Sequence, residues 1–229
     1  MALDWFRSHL FDRQQYTVIN DCKSNLLNIS HGVPQGSILG PLLFLVFIND
    51  LPNSSNLFKC ILFADDSTLS ASFSRADMEI AIKINNELVS VNSWLDTNKI
   101  CMNADKTKVI TFSYKRHMDI PLLKIGNANI TEVDSIKFLG MHLDRHLTFK
   151  YHVDYISSKI SKSIGILYKL KYFLPPEVLK IIYFSLVQPY IYYGIEAWFA
   201  SHKNVTDKMV VMQKKACRAM NNLSYTGYR

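Results

Sequence analysis

Cysteine, glycine and proline are scarce in this chain, and each scarcity excludes a class of protein. The four cysteines (Cys22, Cys60, Cys101 and Cys217) lie far apart with no Cys-x-x-Cys among them, so neither a disulfide framework nor a zinc ribbon is signalled. Eight glycines and seven prolines in 229 residues are too few for a low-complexity or linker-like chain. Long uninterrupted apolar runs are missing as well. Residues 38–48 are strongly apolar but fall short of the roughly 20 residues a membrane span needs. Residues 181–199 have the length, but Gln188, Pro189 and Glu196 interrupt them, and a buried helix broken or kinked at Pro189 is the better reading. The first residues carry Asp4 and Trp5 where a secretory signal needs a basic and then a purely apolar stretch. The expectation is an intracellular protein, of nucleus or cytoplasm, with no membrane segment.

What is present is a globular composition with a lopsided charge. Hydrophobic residues make up 48% and charged residues 20%, which excludes intrinsic disorder. The formal net charge is +7, but residues 1–135 hold 12 Lys and Arg against 14 Asp and Glu, while residues 136–229 hold 14 against 5. The whole surplus lies in the second part. Such asymmetry points to a part that meets a polyanion, nucleic acid before an anionic membrane surface, with an ordinary solvated basic face as the alternative.

The apolar spacing gives a coarse map. Residues 14–20 and 25–30 read as a hairpin around Asp21–Ser24. A loop marked by Pro34, Gly36 and Gly40 precedes a run, 41–51, that suits a buried helix ending at Leu51-Pro52. Runs 57–63 and 67–73 read as strands joined by a tight acidic turn. Residues 76–98 form the clearest helix, with Ile80, Ile84, Leu88, Val91 and Leu95 spaced by three and four. Residues 107–113 and 135–143 read as strands. From about 150 the pattern is helical, with breaks at Pro175-Pro176 and around Ser201–Asn204. The order is that of an α+β fold with an appended helical, basic part.

The sharpest chemical signal is Asp65-Asp66 at the end of an apolar strand. Adjacent carboxylates raise each other's pKa, and a hard divalent cation removes that cost. An acidic hairpin turn with no ligand is the alternative, since Asp is a common turn residue. His142, His146 and His152 are too irregularly placed, on a strand and then a loop, for a ligand set and are read as surface or loop histidines.

The wider pattern resembles the reverse transcriptases of non-LTR retrotransposons. The run G32-V33-P34-Q35-G36-S37-I38-L39-G40-P41-L42-L43-F44 and the block F63-A64-D65-D66 carry most of it. W94-L95, N98-K99, M102-N103, K106-T107-K108, F138-L139-G140, L143-D144, L147-T148, Y190, Y193-G194-I195-E196-A197-W198 and Q213-K214-K215 extend it over almost the whole chain. The resemblance implies a partial palm, an antiparallel sheet with packed helices, over 1–135. It implies a primer-grip strand and a basic, thumb-like helical domain over 136–229. It further implies Mg²⁺ at a two-metal site as cofactor, with an RNA template, a DNA primer and deoxynucleotides as partners. Asp65 and Asp66 would be catalytic and metal-binding; Pro34, Gln35, Gly36, Lys106 and Lys108 would face nucleotide and template. Phe138, Leu139 and Gly140 would support the primer's 3′ end.

The chain departs from the pattern at its start. A third carboxylate arrives in the family on a strand upstream of the W5-F6-R7-S8-H9-L10 segment, as do the fingers. The expectation is a truncated polymerase segment with half its cluster, an open edge beside the acidic hairpin, and little or no polymerase activity alone; a missing palm and fingers segment would be its partner. The alternative is a non-catalytic, basic RNA- or DNA-binding remnant. In either case Lys159, Lys162, Lys169, Lys214, Lys215 and Arg218 lie outside the apolar helical stripes and would track phosphates, and Tyr168, Tyr172 and Phe173 lie near enough to stack on bases.

Overall fold

The computed structural model describes residues 2–74, 78–113, 122–199 and 203–221. Its elements fall into two compact units. Among the described residues, one holds 2–74, 78–107 and 122–130, and the other 108–113, 131–199 and 203–221.

The first unit opens with α1 (Ala2–Leu10) and a nested hairpin in which β1 (Arg13–Gln15) pairs with β4 (Leu27–Ile29). Inside it, β2 (Val18–Ile19) pairs with β3 (Cys22–Lys23). The tip is Asn20-Asp21, one residue earlier than the sequence reading puts it, and both residues take positive φ (47° and 63°). Asn and Asp tolerate that conformation and favour two-residue hairpin turns. Next come α2 (Gly40–Ile48), a 3₁₀ turn (Leu51–Ser54), the hairpin β5 (Lys59–Phe63) and β6 (Asp66–Ser70), and α3 (Met78–Thr97). After β7 (Lys108–Val109), which belongs to the second unit, β8 (Lys124–Ile125) and β9 (Ala128–Asn129) turn at Gly126 and complete the first.

Helix α3 organises this unit. Its predicted start at 76 lies outside the described residues, and from Met78 it follows the expected stripe. Ala81, Leu88, Val91 and Leu95 are buried, while Ile80 and Ile84 are only half-buried. Val91 and Leu95 pack with Ile48 and Leu51, and Phe44, Cys60, Leu62 and Leu69 close over that cluster. Two polar side chains of α3 hold the flanking loops. Glu87 accepts from Ser55 Oγ (2.5 Å) and from the Asn56 N–H (3.2 Å). Asn85 accepts from the Lys124 N–H (2.9 Å) and donates to the Leu122 carbonyl (3.3 Å), which seats β8 on the helix.

The expectation of a buried helix after Gly40 is corrected. In α2 only Gly40 and Ile48 are buried; Leu42, Leu45, Phe47 and Val46 (69% exposed) are open. The helix is apolar on every side, and one side is enough to meet α3 and the acidic hairpin. Nothing among the described residues covers the others.

In the second unit, β7 pairs in parallel with β10 (Thr131–Glu132), and β11 (Ser135–Phe138) pairs with β12 (Met141–Asp144). Then follow α4 (Lys150–Leu170), α5 (Pro176–Leu186), α6 (Gln188–Tyr192), α7 (Ile195–Trp198) and α8 (Lys203–Met220). The expected stripe of α4 is entirely buried: Val153, Ile156, Ile160, Ile164 and Leu167 face Leu179 and Tyr183 of α5 and Met209, Met212 and Ala216 of α8. Pro176 opens α5 as expected, and the break near Pro189 falls at Val187. The break at 201–202 lies outside the described residues.

Two strand readings are corrected. The run 107–113 shrinks to Lys108–Val109, and 135–143 is not one strand but a tight hairpin turning at Leu139-Gly140 (φ 44° and 87°). All strands among the described residues form separate two-stranded ladders, five antiparallel and one parallel, rather than one sheet. The fold is α+β, and no described helix is long and apolar enough to cross a membrane.

A buried carboxylate joins β12 to α4. Asp144 accepts from the N–H groups of His146 (3.2 Å), Thr148 (3.0 Å) and Phe149 (2.8 Å) and from Thr148 Oγ1 (3.0 Å). These bonds hold Leu147 and Phe149 at positive φ (51° and 55°), which non-glycine residues adopt at a cost of about 1 kcal/mol each. Asp144→Ala leaves those donors buried without an acceptor and is expected to cost about 3 kcal/mol. Urea unfolding monitored by circular dichroism checks it; a loss under about 1 kcal/mol contradicts this account.

Candidate functional site

The acidic hairpin is built by strand alternation. Cys60, Leu62 and Leu69 turn inward onto the α3 cluster, so their neighbours must turn outward. The register pairs Phe63 with Asp66 and Ile61 with Thr68. Cross-strand partners share a face, and Asp66 therefore stands on the outward face with Ile61 and Phe63, which is 61% exposed. Asp65 occupies the two-residue connection after Ala64, which takes φ 51°. Both aspartates are exposed, and among the described residues neither is paired with a lysine or arginine. Neither edge of the hairpin carries a third strand among the described residues.

The loop before α2 shares this unit and this core, since Phe44 and Ile48 of α2 pack in the same cluster as Cys60, Leu62 and Leu69. Gly36 takes φ 81°, a conformation that favours glycine, and the Ser37 N–H donates to the Pro34 carbonyl (3.2 Å). Ser37 Oγ in turn accepts from the Gly40 N–H (2.9 Å) and fixes the entry to the helix. Pro34 is half-buried, Gln35 and Gly36 are exposed, and Ile38 beside them is 96% exposed. Lys106 is exposed in the same unit, on a turn held by Asn103. Lys108 is exposed on β7 of the other unit.

In the second unit Phe138, Leu139 and Gly140 form the β11–β12 turn. The Tyr193 hydroxyl donates to the Leu139 carbonyl, and a Cβ at Gly140 would lie 3.3 Å from the Tyr193 ring. Tyr193 is thus a positioning residue for the turn that the reading of single positions missed; the Y190…Y193-G194 block held the signal. Lys162, Lys169 and Lys214 are exposed, and Lys159, Lys215 and Arg218 are half-buried. Lys159 Nζ lies 5.5 Å from the Tyr155 ring centroid, and Lys171 lies over both Tyr168 and Tyr172.

One histidine differs from expectation. His152 is 1% exposed on α4, and its Nδ1 accepts from the His142 N–H at 3.4 Å. Burial, and secondly the nearby His142, hold its pKa below the usual histidine value. His142 is half-buried and packs on Tyr155, and only His146 is exposed. The buried position follows from the stripe: His152 is one turn before Ile156.

For a divalent ion, the donor set fits in kind. Asp65 and Asp66 are hard oxygen donors, exposed and without a basic partner, and Mg²⁺ is held by one or two carboxylates together with substrate phosphates. No group of three His, Cys, Asp or Glu side chains among the described residues could hold a metal without such help.

Comparison with known proteins gives the family. Residues 1–143 match the model described as reverse transcriptase (RNA-dependent DNA polymerase). The chain is 26% identical over 228 residues to the RNA-directed DNA polymerase from mobile element jockey of Drosophila melanogaster, across 94% of this chain and 24% of that protein. It is 26% identical over 223 residues to the jockey polymerase of Drosophila funebris, across 92% and 24% of the two chains. It is 24% identical over 182 residues to the retrovirus-related Pol polyprotein from type-1 retrotransposable element R1 of Bradysia coprophila, across 75% and 18%. The chain therefore spans about a quarter or less of the length of these relatives. No solved structure matches it. With the family model covering well over half of its 229 residues, this chain belongs to the reverse transcriptase (RNA-dependent DNA polymerase) family.

Proposed function

We propose that this chain supplies the metal-binding hairpin and the basic helical segment of a retrotransposon RNA-directed DNA polymerase. In this reading 1–135 is part of a palm and 136–229 a primer-grip turn with a thumb-like domain. The single observation that carries it is the acidic hairpin. Two adjacent carboxylates stand at its tip and outward face with no described basic partner, on a core shared with the Pro34-Gln35-Gly36 loop. Asp65 and Asp66 would hold Mg²⁺, which supplies charge neutralisation at the attacking and leaving oxygens of nucleotidyl transfer. Gln35 and Gly36 would lie against nucleotide and template, where the missing Cβ lets the backbone approach. Lys106 and Lys108 would neutralise the triphosphate, and the turn at Phe138, Leu139 and Gly140 would seat the primer end. Lys159, Lys162, Lys169, Lys214, Lys215 and Arg218 would follow the phosphates of template and primer.

Two carboxylates make half of a two-metal cluster, so the third is assigned to a further segment of a longer polymerase, and the isolated chain binds nucleic acid without extending it. A second reading, a non-catalytic nucleic-acid-binding remnant, draws on the outward lysines of the second unit alone. Primer extension with Mg²⁺ tests the assignment. The isolated chain is expected to bind an RNA–DNA primer-template, with affinity falling steeply as salt rises, and to add no nucleotide. A longer polymerase carrying this segment is expected to extend. Robust synthesis by the isolated chain overturns the division of the cluster, and binding indifferent to salt overturns the role of the lysines.

A further inference from the structure

The second unit contains a cleft of about 290 Å³ that none of the roles above uses. It is lined by Lys137 and Gly140 from the β11–β12 hairpin, His152 and Tyr155 from α4, and Tyr190 and Tyr193 from the segment around α6. Its volume is at the small end of ligand pockets, room for one base and not for a base pair.

Three independent features give the cleft its chemistry. The first is a buried donor without an acceptor. His152 Nδ1 already accepts from the His142 N–H, so the neutral ring carries its proton on Nε2. That nitrogen is buried and has no hydrogen-bond partner among the described residues. Its ring packs edge-on against Trp198 with centroids 6.0 Å apart, too far for the indole to serve as acceptor. The second feature is aromatic surface: Tyr155, Tyr190 and Tyr193 converge on one small space, and Tyr190 is exposed on its outer side. The third is charge. Lys137 Nζ and Lys159 Nζ both approach the Tyr155 ring, at 6.0 and 5.5 Å from its centroid, so two ammonium groups meet beside the same wall.

A planar group with an acceptor on its edge and a phosphate attached satisfies all three. We propose that this cleft binds one unpaired nucleotide of a single-stranded nucleic acid. The base stacks on the tyrosines and accepts from His152 Nε2, and its phosphate lies against Lys137 and Lys159. The cleft is separate from the acidic hairpin, which is in the other unit, and the base it takes is out of any duplex. The choice of a nucleotide as ligand rests on the nucleic-acid reading above, while the existence of an aromatic subsite with an open donor does not.

The test uses the whole 229-residue chain and two five-unit DNA strands, one entirely abasic and one abasic except for a central 2-aminopurine. The base-bearing strand is expected to bind about 10-fold more tightly, the scale of stacking one base on an aromatic side chain, and its fluorescence to be quenched on binding. Tyr190→Ala, at an exposed position, is expected to abolish the difference between the strands while the thermal melt stays unchanged. His152→Gln is expected to reduce it. Equal binding of the two strands, with no quenching, means phosphate contacts only; it overturns the pocket and leaves the nucleic-acid reading intact. Binding of a primer-template but of neither strand likewise overturns the pocket. Failure to bind any of these nucleic acids overturns both.

Discussion

Asp65→Ala combined with Asp66→Ala is expected to lower Mg²⁺-dependent nucleotide incorporation by at least about 10³-fold in a full-length polymerase carrying this segment. The size follows from what the carboxylates would do. A metal clamp on the reacting oxygens contributes several kcal/mol to the transition state, and about 4 kcal/mol corresponds to a thousandfold in rate. Stability should move the other way or not at all. Both side chains are exposed and unpaired among the described residues, and their removal relieves the repulsion of adjacent like charges. Surface changes of this kind stay within about 0.5 kcal/mol. The decisive measurement is therefore paired, single-turnover incorporation beside a thermal melt. A lost activity with an unchanged melt assigns the pair to chemistry. Retained activity removes the hairpin from the mechanism.

Trp198→Ala is expected to destabilise the second unit by about 4 kcal/mol, the usual range for truncating a buried tryptophan. Trp198 is 0% exposed; its Nε1 donates to the Tyr193 carbonyl at 3.0 Å, and its ring packs against His152. The substitution removes core volume and leaves a backbone acceptor without its partner. Trp198→Phe restores most of the volume but not the hydrogen bond, and should recover more than half of the loss. Urea unfolding of both variants separates the two contributions, and a cost below about 2 kcal/mol for alanine contradicts the packing described.

Much of the fold was legible because helical periodicity is a local signal. The α4 stripe from Val153 to Leu167 and the start of α5 at Pro176 follow from spacing and from proline's fixed geometry. The acidic hairpin was legible for a similar reason, two adjacent acids between two β-prone runs. Which face Asp66 takes was not, because it depends on the pairing with Phe63, a property of register. The turn at Leu139-Gly140 was hidden by Leu139, a residue with no turn propensity that is held at positive φ by its tertiary setting. The exposure of α2 was hidden too, since composition states how apolar a helix is but not how much of it is covered. Asp144 was visible only as part of a family block; its role needed the loop at 145–149 to fold back on it.

The way the two units share the chain bears on how the protein is made and cut. The second unit begins at 108, with β7, yet residues 122–130 return to the first before β10 resumes the second. On the ribosome, β7 emerges before the first unit has its last strands, and it must wait for β10 to find its parallel neighbour. Cleavage between 107 and 108 would part β8 and β9 from α3, so no single cut in this stretch yields two whole halves. Dissecting the protein into separately expressed pieces calls for a rearranged chain order in which 108–113 is rejoined to 131 and 122–130 to 107.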